Sequence, residues 1–289
     1  RYYMRYSPEA TCENDIAEAV VEALPKSVCT VMNTISDACT VYLRVKERLQ
    51  DKQPDILRFL DDIIFSDADD NSGDNSGGQS KNIFIFNLNG LMTPIHKEII
   101  IDTLSCCLHQ KQPVAAISTQ IIEAGVDLSF EEGLRACALH PCHIQFAGRS
   151  NRHGEGDAAA VVQILNFLRG KETDSRQWVY TSSIEREETD KLMQKCKQWD
   201  EKECLQMLDT YYKATFTRNP NTALLNFYSN VALGNWSVFA GIEPFGKTYP
   251  SVPVFIPWPE KHALKKITAW YHKHLPNKVC TAQKVLDLM

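Results

Sequence analysis

The residues best suited to chemistry lie in QFAGRSNRHGEG, Gln145 to Gly156. On a helix, positions three and four apart are neighbours, so Gln145, Arg149 and Arg152 would share one face. Two guanidiniums aimed together suit a phosphate, because each presents several donors in a fixed plane. A solvated helical face with incidental charge is the competing reading. A second stretch, STQIIEAGVDLSF from Ser118 to Phe130, ends a strand on hydroxyl and amide groups, bends at Gly125 and places Asp127 just beyond. By itself it reads as turn chemistry. A third, CALHPCH, gathers Cys137, His140, Cys142 and His143, but four ligands packed so closely along the chain could hardly all reach one tetrahedral zinc ion. Pro141 reads instead as the first turn of the helix carrying Gln145. No metal site is expected.

These residues need elements to position them. SVCTVMNT from Ser27 reads as a buried strand whose end, Asn33-Thr34, caps a helix with apolar positions at Ile35, Ala38, Tyr42, Val45 and Leu49. NIFIFNLNG from Asn82 is another strand, followed by a helix over Thr93 to Leu108. PVAAISTQ from Pro113 is a third strand, with a helix-prone patch from Gln120 to Ala124. DAAAVVQILNF after Gly156 is a fourth. Strands separated by helical stretches imply a parallel sheet with crossover helices, whose functional groups sit at the carboxyl ends of the strands.

Between residues 61 and 81, clustered acids followed by Gly, Ser and Asn read as an acidic mobile loop, and the calcium-loop pattern ending in glutamate is missing from it. Beyond about Leu168 the texture changes. Ser182 and Glu185 form a candidate capping box for a helical stretch from Ile184 to Phe216. From Asn219 the chain is aromatic and proline-punctuated, with VPVFI as an edge strand and a helix over His262 to His274.

The 289 residues carry a net charge of -5 and ten cysteines. A global basic field for nucleic acid is thereby excluded, so any contact with DNA or RNA must be local. Scattered thiols, two of them adjacent, in a chain of this size fit a reduced, cytoplasmic protein. No apolar run approaches the ~20 residues of a membrane span. The start, RYYMRYSPEA, lacks an initiator methionine, which fits a piece of a longer polypeptide.

Taken together, STQIIEAGVDL and IQFAGRSNRHGEG resemble motifs V and VI of superfamily 2 helicases, and most closely the CRISPR-associated helicase-nuclease of type I interference systems. SVCTVMNTISDACTVYLRVKERL is similar to the motif IV strand and helix. The chain departs from the family at Leu88-Asn89-Gly90, where a histidine-serine type loop is usual. The resemblance covers roughly Ser27 to Phe167. It implies an α/β fold: a RecA-like parallel sheet with flanking helices over 1–168, a mainly helical linker over 169–218 and a small C-terminal accessory region over 219–289.

The resemblance also implies roles. ATP with Mg2+ would lie between this second lobe and a first RecA-like lobe. Arg149 and Arg152 would approach its phosphates, with Arg152 as the arginine finger. Gln145 would orient them, Gly125 and Asp127 would border the ribose, and Glu123 would pair with an arginine while the site is open. Ser118, Thr119, Asn33 and Thr34 would meet single-stranded DNA. The implied partners are that first lobe, an HD-type nuclease domain and a guide-RNA surveillance complex. The chain contains neither a G-x-x-x-x-G-K-[ST] loop nor a magnesium-binding Asp-Glu pair, so alone it is expected to lack ATPase, unwinding and nuclease activity. The alternative is a non-catalytic helicase-lobe module that binds and regulates a surveillance complex or a partner helicase.

Overall fold

The computed structural model describes residues 2–52, 57–59, 83–123, 127–151, 159–195, 197–219 and 222–237. Eight strands form one sheet: β1 (Tyr2–Thr11), β2 (Val28–Val31), β3 (Leu57–Phe59), β4 (Ile83–Leu88), β5 (Val114–Ser118), β6 (Glu132–Ala136), β7 (Ala160–Phe167) and β8 (Gln198–Asp200). Their order is β3-β4-β5-β2-β6-β7-β1-β8. Every pairing is parallel except that of β8, which runs antiparallel along the outer edge of β1. The helices are α1 (Glu13–Ala23), α2 (Ile35–Lys52), α3 (Pro94–His109), α4 (His140–Ala147), α5 (Ser183–Lys195), α6 (Glu201–Arg218) and α7 (Thr222–Ala232).

A sheet covered on both faces needs strands that are apolar at every position, and β2 and β5 are buried throughout. The two-residue side-chain period then divides the core. Cys29, Val31, Phe86, Leu88, Val114 and Ala116 pack on one face with Ile100 and Leu104 of α3 and Phe146 of α4. Val28, Met32, Ile85, Ala115 and Ile117 pack on the other with Ile16 and Val20 of α1 and Ala38, Val41 and Val45 of α2. The expected α/β, RecA-like architecture is therefore present, with its four anticipated strands and the helices α2 and α3.

Several elements differ from the sequence reading. β1, α1, β3 and β6 were not anticipated. The stretch expected as one helix from Ile184 to Phe216 is two helices, α5 and α6, because β8 interrupts it to pair with β1. Asp200 then restarts the helix: its carboxylate accepts from the Glu203 N–H at 2.8 Å, and Glu203 accepts from the Asp200 N–H at 2.9 Å. At the head of α5, Ser182 Oγ accepts from the Glu185 N–H, as half of the anticipated box. Leu192, Met193, Trp199, Cys204 and Tyr211 join the first core face, so the segment 169–218 packs on the sheet.

The chain divides into two compact units, Arg1–Asn221 and Thr222–Met289. In the second, α7 ends in a turn at Gly234, whose φ of +79° lies in the left-handed region that favours glycine. Trp236 is exposed. The acidic loop, the VPVFI strand and the 262–274 helix lie outside the described residues. Among the described residues no helix is long and apolar enough to cross a membrane.

Gly133 on β6 is required by packing. A Cβ there would lie 2.9 Å from Ser150 Oγ and 3.0 Å from the Phe146 ring. Gly133→Ala is expected to cost about 1–3 kcal/mol by overpacking, read as a lower urea midpoint. An unchanged midpoint would contradict this close approach of α4 to the sheet.

Candidate nucleotide and nucleic-acid site

The strands β2, β4, β5, β6 and β7 all run the same way, so their carboxyl ends collect Asn33-Thr34, Asn89, Ser118-Thr119, Cys137 and Arg169 along one edge. Thr34 caps α2 there: its Oγ accepts from the Asp37 N–H at 3.1 Å and donates to the Asp37 carboxylate at 2.7 Å. Arg169, at the end of β7, holds the same carboxylate at 2.7 Å and lies 4.6 Å over the exposed Trp178 ring.

Of the four residues expected to meet nucleic acid, Ser118, Thr119 and Asn33 are buried. The Ser118 hydroxyl donates to the Leu88 carbonyl at 2.7 Å. The Asn33 amide donates to the Cys137 carbonyl at 2.8 Å, and its oxygen accepts from Arg135 at 2.8 Å. The Thr119 N–H donates to the Leu88 carbonyl. Ser118 and Asn33 thus spend their polar groups on joining neighbouring strand ends, while Thr34 stays partly exposed at its cap.

In the second of the two motif segments, α4 begins with Pro141 in its first turn, as the sequence implies, but stops at Ala147 with Gly148 as its cap. This corrects the single helical face expected for Gln145, Arg149 and Arg152. Gln145 is exposed on the helix, Arg149 projects from the turn after it, and Asn151 adopts a left-handed φ of +46°. Arg152 and Gly125 lie outside the described residues. The turn is fastened to the start of β6, since the Phe130 N–H donates to the Arg149 carbonyl and the Asn151 N–H to the Phe130 carbonyl.

The two motif segments do meet. The Arg149 guanidinium donates to the Glu123 backbone carbonyl through Nη2 at 2.7 Å and Nε at 3.2 Å. The Glu123 carboxylate pairs with Arg135, which the sequence reading did not name, with Nε to Oε1 at 2.8 Å and both side chains buried. Burial pushes the Glu123 carboxyl above the usual carboxylate range, against the pull of Arg135 and Arg149. Burial works against the Arg135 charge too, yet Glu123 holds it above its ordinary value. Asp127 is exposed. The donor set fits the groups implied for it: Arg149 and the exposed Gln145 amide suit phosphate oxygens, and the Asp127 carboxylate suits ribose hydroxyls.

Sequence reasoning passed over Arg135 and Tyr180. Arg135 also donates to the Val31 and Ala136 carbonyls and, at 3.2 Å, to the Tyr180 hydroxyl, which accepts from the Gln120 amide as well. The available signal was a charge inside the apolar run GLRACAL.

The histidines of CALHPCH serve the fold. His143 Nε2 accepts from the Ala138 N–H at 2.8 Å, and His140 Nε2 faces the Cys204 carbonyl at 3.3 Å. Among the described residues no group of three His, Cys, Asp or Glu could hold a metal ion. Burial holds both imidazoles below their ordinary value, His143 well below it. The unfolded chain therefore binds these protons first, and the stability from the neutral rings is complete above about pH 6.5 and is lost as pH falls through the folded pKa values. The urea midpoint is expected to drop between pH 7.5 and 5.5. His143→Gln, whose carbonyl can still accept from Ala138, should flatten that slope. An equal slope in the variant would remove the histidine from the account.

A mostly parallel sheet with helices on both faces is the architecture of a RecA-like lobe. Residues 25–155 match the family described as CRISPR-associated nuclease/helicase Cas3, C-terminal. The structure is similar to T. fusca Cas3-ATP, with a TM-score of 0.55 and 12% identity over 82% of this chain and 27% of that one. It is also similar to T. fusca Cas3 without a named nucleotide, with a TM-score of 0.55, 12% identity, and 82% and 26% of the two chains covered. A structure titled as a CRISPR-associated protein matches with a TM-score of 0.51 at 15% identity, covering 83% of this chain and 25% of that one. At such identities the likeness is one of fold, and the chain spans about a quarter of each structure's length. No curated protein matches it.

Proposed function

We propose that this chain is the second RecA-like lobe and C-terminal region of an ATP-dependent translocase that moves along single-stranded DNA in CRISPR interference. The reading is carried by the family match over 25–155, which spans both motif segments, with Arg149 fastened to Glu123 where they meet. ATP with Mg2+ would be shared with a first RecA-like lobe, which would grip the phosphates and the metal. Its hydrolysis needs charge stabilisation more than covalent help from the protein. Arg152 is the arginine finger and Arg149 the companion phosphate contact, oriented by Gln145. Gly125 and Asp127 border the ribose.

The strand-end edge faces DNA, with Thr119 and Thr34 as its contacts and with Ser118 and Asn33 behind them joining the strand ends. A lobe of net negative charge can still hold phosphate there through hydroxyls, amides and backbone N–H groups. An HD-type nuclease domain and a guide-RNA surveillance complex are the further partners. Four of the solved structures similar to this fold are titled as T. fusca Cas3, alone or with ATP, ADP or AMPPNP, which supports a nucleotide at the site.

Fluorescence anisotropy with a labelled oligothymidine tests the DNA side. The native polypeptide carrying this chain is expected to bind it, and Thr119→Ala to weaken binding roughly 5-fold, about the worth of one hydrogen bond. Equal affinity in the variant would remove Thr119 from the DNA edge. No binding by the unchanged protein would contradict the reading itself.

A further inference from the structure

Arg135 is a full positive charge at the carboxyl end of a central strand, with none of its surface exposed. Such a group is tolerated only when its donors are used, and here they are divided among separate segments. Nη1 donates to the Asn33 side chain at the end of β2. Nε meets the carboxylate of Glu123, whose backbone carbonyl holds the Arg149 guanidinium. Nη2 donates to Tyr180, beyond β7.

The Tyr180 hydroxyl extends the tie. It accepts from Gln120, the residue after Thr119, and the same Gln120 amide donates to the Asn33 backbone carbonyl at 3.1 Å. A shift of either strand end therefore changes the distance to a guanidinium that cannot move without breaking its bonds to Glu123 and Tyr180.

We propose that Arg135 is a positioning residue that couples the strand ends at Asn33 and Thr119-Gln120 to the arginine side of the nucleotide site, with Tyr180 as its brace. This rests on the helicase-lobe reading above. DNA seated on the edge fixes Asn33 and Gln120, Arg135 passes that constraint to Glu123, and Glu123 sets where Arg149 points. The motif segments alone do not contain this connection, since Arg135 and Tyr180 belong to neither.

DNA titrations of ATP turnover, with a melting temperature for every variant, test the coupling in the native polypeptide carrying this chain. Tyr180→Phe keeps the ring and removes only the hydroxyl. It is expected to leave unstimulated turnover and the DNA concentration for half-maximal stimulation unchanged, and to reduce maximal stimulation roughly 5-fold or more. Arg135→Lys keeps a charge facing Glu123 without the fork, and is expected to lose stimulation in the same way at a similar melting temperature. A merely structural role would lower the melting temperature and both turnover rates together. Full stimulation in folded Tyr180→Phe and Arg135→Lys would overturn the proposal. An unchanged protein whose turnover ignores DNA would instead overturn the helicase reading, and the coupling with it.

Discussion

Arg135→Met is expected to destabilise the fold by ~3–5 kcal/mol, the usual cost of removing one partner of a buried ion pair. The volume is nearly kept, so the loss is electrostatic. Glu123 remains buried with a carboxylate that burial already pushes upward and that Arg135 no longer restrains. Asn33 Oδ1 and the Val31 carbonyl lose a donor at the same time. Two consequences separate this from a packing defect. The first is that adding Glu123→Leu should recover a large part of the loss, because an apolar pair needs no compensation. The second concerns pH. In the single variant Glu123 has a raised folded pKa, so its contribution is complete below its unfolded value near pH 4.3 and is lost as pH rises through the folded one. The deficit against the unchanged protein should therefore shrink on acidification toward pH 5. Urea unfolding of the three proteins at two pH values measures both effects. A deficit independent of pH, with no recovery in the double variant, would contradict the assignment of the pair.

The second large effect is kinetic. Arg152→Ala is expected to reduce DNA-stimulated ATP turnover by about 10³-fold or more while leaving ATP and DNA binding in place, because a finger arginine acts on charge that develops only in the transition state. Arg149→Ala should behave differently. Its guanidinium also fastens the turn after α4 to Glu123, so its loss lowers the melting temperature as well as the rate. Steady-state kinetics paired with thermal melts distinguishes the two arginines. Equal turnover in Arg152→Ala would remove it from the finger role.

What was legible in the sequence follows from where the information resides. Strands β2, β4, β5 and β7 are short apolar runs ended by polar residues, and a strand buried on both faces has to look like that. Strand β1, second from the sheet edge, is interrupted by Arg5, Ser7, Pro8 and Glu9, and much of it is exposed, so no run marks it. The central strand β6 was hidden by Glu132 and Arg135. A charge in a strand reads as exposed until its partner is known, and the partner, Glu123, lies on a separate segment that the fold brings beside it.

The break between α5 and α6 has the same origin: β8 exists because β1 offers an edge, a long-range fact that helix propensity overlooked. In the site, residue types and offsets selected Glu123 and Arg149, and the geometry joins them. The offsets overextended the helix, since Gln145 and Arg149 keep helical spacing across a terminus at Ala147. Tyr180 carried no signal at all, because a lone tyrosine becomes a brace only when β7 and the segment after it bring it to Arg135.

Steady-state ATP hydrolysis by the native polypeptide that carries this chain, measured without nucleic acid, with single-stranded DNA and with RNA of the same sequence, tests the central claim most directly. The account predicts turnover that single-stranded DNA accelerates and RNA does not. Turnover that is the same with and without DNA would contradict it, and would leave the lobe as a non-catalytic module whose arginines serve the fold.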